Sequence, residues 1–173
     1  MNMLFTPGMP AFYLMGIDNR TFEQVYADLQ DVDPMTNVLL MYGWRCRTRA
    51  GFFKEITETL RIPMDLELNW QRLTNALVDL TWLGGTSFLI LVNDAPLFLS
   101  EDRTDMALRA CLQVLNTANE AWAEQYHMGV NGQPKPTAFN VLFGCLEPEI
   151  PAFTNRVAQA GGVIASISDL TIH

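Results

Sequence analysis

Three apolar runs constrain this chain more than any other feature: NVLLMYG at 37–43, FLILVND at 88–94 and FNVLFGC at 139–145. None alternates polar with apolar residues, so a strand formed from any of them is expected to be covered on both faces. Two further runs, Phe12–Ile17 and Val163–Ile172, also read as strands. The stretches between them have helical spacing instead. Thr21 precedes Phe22, Val25, Tyr26 and Leu29, and with Gln24 it has the form of a capping box. Thr48 precedes Phe52, Phe53, Ile56 and Leu60, and Pro63 follows as a stop signal. Leu108, Cys111, Leu112, Leu115, Ala118 and Trp122 share one face of a long helix. Ser100, Glu101 and Asp102 lie just before it, suited to the positive end of its dipole. NGQPKP at 131–136 reads as a loop, and Gly161-Gly162 ends a short helix beginning near Pro151. Strands alternating with helices predict an α/β fold: a small, mainly parallel sheet of three to five strands packed with helices.

With 173 residues, a single domain is expected over 1–173. The formal charge of −8 repels phosphate backbones and anionic lipid, so neither nucleic acid nor membrane is expected as a partner, and a basic protein surface is favoured. The N-terminal MNMLFTPGMP lacks a basic segment and is broken by Pro7 and Pro10, unlike a signal peptide. No apolar run approaches the roughly 20 residues of a membrane span, so a cytoplasmic location is expected. Cys46, Cys111 and Cys145 are scattered and odd in number, which reads as buried, reduced thiols.

Catalytic groups are sparse. His127 and His173 are the two histidines, and only His127 is placed to serve a nucleophile. There is no zinc spacing and no phosphate loop; Gly84-Gly85 lacks a following lysine. The acidic pairs Glu101/Asp102 and Glu147/Glu149 sit at element ends, where carboxylates are ordinarily solvated. No enzyme activity, metal or other cofactor is expected. GIDNRT at 16–21 and GWRCRT at 43–48 share Gly-x-x-x-Arg-Thr, each leaving a strand and entering a helix expected to be capped by its threonine.

The most informative segment is IPMDLELNWQRLTNALVDLTW at 62–82. Asn69 is placed as an N-cap, and Trp70, Leu73, Leu77 and Leu80, with Ala76 beside them, form a core-facing stripe. The opposite face carries Gln71, Thr74, Asn75, Val78, Asp79 and Trp82, with no Lys or Glu from Leu73 to Trp82. Short amides beside Val and Trp suit an interface better than an ordinary wet surface. The preceding loop alternates Met64, Leu66 and Leu68 with Asp65 and Glu67.

From residue 37 to 145 the order of Gly-x-x-x-Arg-Thr, helix, Pro63, Asn69-Trp70, Leu73, Leu77, DLTW at 79–82 and LQVL at 112–115 resembles the barstar family, inhibitors of ribonuclease toxins. Residues 1–36 and 146–173 fall outside that core and are expected to add a strand and a helix each. The resemblance implies a barstar-like fold whose loop and helix at 64–82 insert into a toxin's active site. Carried over by position, the family's loop aromatic pair falls on Asp65 and Leu66 and its glycine on Glu67. Its two inhibitory aspartates fall on Gln71 and Asn75, a tryptophan between them on Thr74, and an acidic contact of the long helix near Thr117. The acids are thus replaced by amides, while acidity stands in the loop at Asp65 and Glu67. The expected partner-binding set is Asp65, Leu66, Glu67, Leu68, Asn69, Trp70, Gln71, Thr74, Asn75, Val78 and Thr117, directed at a basic cognate toxin. The alternative is a barstar-like protein-binding or self-associating module without toxin; an enzyme using His127 ranks third.

Overall fold

A computed structural model describes residues 3–63, 67–124 and 136–168. Five strands form one sheet: β1 (Phe12–Gly16), β2 (Thr36–Tyr42), β3 (Ser87–Asn93), β4 (Ala138–Cys145) and β5 (Ile164–Ile167), in the order β2-β3-β4-β1-β5 with every pairing parallel. The helices are α1 (Asn19–Gln30), α2 (Arg49–Thr59), α3 (Trp70–Asp79), α4 (Met106–Ala123) and α5 (Ile150–Gln159). The α/β class and the parallel sheet are as the sequence predicts. The segments beyond 37–145 supply β1 with α1 and α5 with β5, and β1 lies inside the sheet between β4 and β5.

Side chains alternate between two cores. On one face, Phe12 and Leu14 of β1, Ile90 and Val92 of β3 and Val141 and Phe143 of β4 pack against Phe52, Leu73, Leu77, Leu108, Leu112 and Phe153 of α2 to α5. On the other, Tyr13, Met15, Leu89, Leu91 and Leu142 meet Phe22 and Leu29 of α1 and Leu4 of the N-terminal segment. Every residue of β3 and β4 is buried, as their lack of alternation requires. β2 differs: it is an edge strand in which only Val38 and Met41 are buried. Both of its faces are covered, Met41 and Leu39 joining one core and Val38 and Leu40 the other, but the open edge leaves the remaining residues only partly buried.

The helix starts follow local chemistry. Thr48 and Asn69 cap α2 and α3, accepting from Gly51 N at 3.0 Å and Arg72 N at 2.8 Å. The cap of α1 is a correction. Asp18, not Thr21, is the N-cap; its carboxylate accepts from Thr21 N at 3.0 Å and from the Thr21 hydroxyl at 2.6 Å. A charged acceptor three residues upstream outcompetes the threonine. Thr21 and Thr48 therefore play different roles despite the shared Gly-x-x-x-Arg-Thr. At α4, Asp102 accepts from Ala107 N at 2.7 Å, and these bonds hold its carboxyl below the usual carboxylate range. The N-terminal segment is held by a buried amide pair: Asn119 donates to Asn140 Oδ1 at 2.9 Å, and Asn140 donates to Leu4 O and Thr6 O.

All three cysteines are free and buried. Burial pushes Cys46 up to about 12 and Cys145 up to about 11, and raises Cys111 well above the ordinary thiol value. His127, His173, the loop at 131–135 and the expected strand residues beyond 168 lie outside the described residues.

Candidate protein-binding site

α3 has the two faces its spacing predicts. Leu73, Ala76, Leu77 and the C-cap Leu80 are buried, while Gln71, Arg72, Asn75 and Asp79 are exposed and Thr74 and Val78 half-buried. Two tryptophans fix the helix ends in this region through carbonyls that helix termini leave unpaired. Trp122 Nε1 of α4 donates to Leu77 O at 2.8 Å, and Trp82 Nε1 donates to Leu60 O, the C-cap of α2, at 2.8 Å. Leu80 ends α3 in the left-handed region at φ 46, anchored there by its buried side chain. Trp70 is a half-buried buttress, 4.7 Å from the Phe53 ring and 5.9 Å from Phe52. Of the DLTW signature, Trp82 is therefore structural as well as surface-lining.

The exposed face is built from amides. Gln71 Nε2 donates to Asn75 Oδ1 at 3.1 Å, so the two amides expected at acidic positions of the family bond to one another. Two carboxylates one helical turn apart would repel; two amides bond. Arg72 turns back onto the loop, donating from Nη1 to Glu67 O at 2.7 Å. Beside the helix, Ile62, Pro63, Arg72, Asn75, Ala76, Asp79 and Trp82 line an open groove of about 340 Å³. Across the loop a second, of about 320 Å³, lies between Phe53, Lys54, Thr57 and Glu58 of α2 and Glu67. A third, of about 590 Å³, runs from Trp70 and Arg49 to Asp102 and Met106. Charged groups of both signs line all three. The surface is mixed in charge rather than acidic.

The expected site residues divide accordingly. Glu67, Asn69, Gln71, Thr74, Asn75 and Val78 are brought together on the loop and outer helix face, with Trp70 beneath them. Asp65 and Leu66 lie outside the described residues. Leu68 requires correction: it is buried within the main core, so the apolar alternation of the loop does not make it a surface anchor. Thr117 is exposed but lines a separate groove with Arg109, Gln113, Glu120 and Gly161, between α4 and the end of α5. Arg72, Asp79 and Pro63 join the surface without having been expected as site residues, with the buried Ile62 at the floor of their groove. For Arg72 and Asp79 the signal was present in the spacing, since 72, 75, 76 and 79 share one side of a helix.

The position where parallel α/β sheets usually bind ligands is occupied by the chain itself. β1 and β4 are neighbours whose following helices leave to opposite faces, which opens a crevice at their C-terminal ends. Here Glu147 and Ile150 press against Gly16 so closely that a Cβ there would collide with both. Among the described residues no cluster of His, Cys, Asp and Glu is arranged to hold a metal, and no helix is long and apolar enough to cross a membrane.

Comparison with known proteins agrees with this geometry. No curated protein matches the sequence. Among solved structures the chain is similar to a chain in the structure of Drosophila ORC bound to AT-rich DNA and Cdc6, with 12% identity and a TM-score of 0.50. That match covers 91% of this chain but 48% of the other, and at such low identity it bears on the fold alone. The family model described as barstar (barnase inhibitor) matches residues 36–131, from the start of β2 through α4. Members of that family generally act as protein-binding inhibitors and not as enzymes, and over more than half its length this chain belongs to the barstar family.

Proposed function

We propose that this protein is an immunity protein: it binds a cognate toxin through the loop and helix at 64–82 and blocks it sterically. The observation that carries the reading is the outer face of α3. In a chain of the barstar family, that helix keeps a core-anchored inner face and an outer face of small amides, Val78 and a Trp82-lined groove. Such a convex helix between open grooves can fill a concave active site while the partner's side chains seat in the grooves.

The chemistry of recognition differs from charge pairing. Gln71 and Asn75 donate and accept hydrogen bonds but cannot neutralise a buried arginine, whose unmatched burial costs several kcal/mol. The toxin accordingly presents neutral polar groups to α3, and its active site differs from one lined with arginine and lysine. The overall charge of −8 still speeds encounter with a basic toxin.

Affinity capture from cells of the source organism tests the reading, comparing wild type with Asn75→Arg. Asn75 is exposed at the centre of the face, so arginine there blocks docking without disturbing the core. A single basic polypeptide captured by wild type and absent from the variant is the expected result. Identical captures with both chains would remove α3 from the binding surface.

A further inference from the structure

β2 is at the edge of the sheet, and among the described residues no strand pairs with its outer side. Exposed edge strands ordinarily carry a charge, a proline or a bulge that discourages pairing. β2 has none of these. Its seven residues, TNVLLMY, are uncharged, and its register with β3 runs unbroken from Thr36↔Ser87 to Tyr42↔Asn93. Two large apolar side chains stand just beyond its ends, Met35 at 51% exposure and Trp44 at 52%.

The two ends differ in charge. Asp28, Asp31 and Asp33 precede the strand, and Arg45, Arg47 and Arg49 follow it. Acidic groups also stand at the basic end. Glu55 is buried, with Arg45 at 3.7 Å, and Glu23 of α1 lies beside Tyr42. Asp94 acts on Arg47, while Arg49 lines the groove with Trp70 and Asp102, so Arg45 is the arginine that bears on the edge. The three arginines are exposed, and Arg45 is spread over the Tyr42 and Trp44 rings.

An edge that is acidic at one end and basic at the other complements itself only when reversed. A two-fold axis through Leu39 aligns Thr36 with Tyr42 along the whole strand and brings the turn at Asp33 of each copy towards the helical turn Gly43–Arg45 of the other. We propose that the protein forms a homodimer by antiparallel pairing of its β2 edges, joining two five-stranded sheets into one. Parallel pairing would place like charges together at both ends, which is why a second copy in reversed direction is the fitting occupant. The edge is flanked by α1 and α2, whereas α3 packs on α4. The dimer therefore leaves both α3 surfaces open.

Sedimentation equilibrium of the full chain over a concentration series tests the proposal, using Asp33→Asn, Arg45→Gln and their double variant. Asparagine preserves the turn in which Asp33 accepts from Met35 N at 2.9 Å; Arg45 lies 3.7 Å from the buried Glu55, so the melting temperature of each variant is measured beside its association. Wild type is expected to dimerise, each single variant to weaken the dimer by about tenfold, and the double variant to weaken it little further, because either change removes the same pair. Asn37→Lys, which places a charge on the edge strand outside both apolar cores, is expected to yield monomer. A wild-type chain that stays monomeric at about 100 μM, far above the ~1 μM of a −8.2 kcal/mol association, overturns the proposal. So does a dimer insensitive to the strand and charge variants, or one dissolved by Asn75→Arg.

Discussion

Trp122→Phe isolates the contact that sets the end of the binding helix. Leu77 O belongs to the last turn of α3, where no helical N–H follows to pair with it, and the Trp122 indole at 2.8 Å is its donor in a buried setting. Phenylalanine keeps most of the ring against Phe88, whose centroid lies 4.9 Å away, but removes the donor. A buried carbonyl left unpaired costs about 1–3 kcal/mol, and the smaller ring leaves a void worth about 1 kcal/mol more. The sum, about 2–4 kcal/mol, lowers the melting temperature of a chain this size by roughly 4–16 °C. Urea unfolding gives the free energy directly, and amide hydrogen exchange shows whether the last turn of α3 loosens first. Trp82→Phe is the comparison: its bond to Leu60 O is only partly buried, so water replaces the indole and the loss is smaller. A Trp122→Phe loss below about 0.5 kcal/mol would refute the role given to this bond.

The thiols and one carboxyl supply further tests. Cys46, Cys111 and Cys145 are buried with raised pKa values, so the native protein should resist iodoacetamide at pH 8 and take up label at all three only after unfolding. Fast labelling of the native chain, read by intact mass, would contradict that. Burial, with Glu149 adding to it, raises the Asp94 carboxyl above its ordinary 3.8 in the fold. A raised folded value means that ionisation of Asp94 removes stability as pH climbs through it. Asp94→Asn abolishes that loss, and asparagine tolerates the left-handed backbone at φ 56. The variant should therefore melt higher than wild type at pH 7 and lose that advantage below the ordinary carboxylate value. An unchanged difference across the range would show that ionisation is not the cause.

The sequence carries most of the scaffold because its signals are local. Unalternating runs specify β3 and β4, and the caps Thr48 and Asn69 specify the starts of α2 and α3. Strand order is not local. That β2 lies at the edge and β1 is inserted beside β4 depends on long crossovers, so an apolar run alone reads the same at edge and centre. The site divides in the same way. Helical spacing separates Gln71 and Asn75 from Leu73 and Leu77, whereas the loop has no period, and Leu68 turns inward against its apparent alternation. Positional correspondence with the family likewise points to Thr117 on α4, and only packing shows that it opens onto a different groove.

Growth under co-expression tests the immunity account most directly. The basic polypeptide captured by the wild-type chain is induced in a neutral host alone, with wild type, and with Asn75→Arg. Growth arrest by the polypeptide alone, relieved by wild type and not by the variant, is the predicted outcome. A captured polypeptide that leaves growth untouched, or one neutralised equally well by Asn75→Arg, would contradict inhibition through α3.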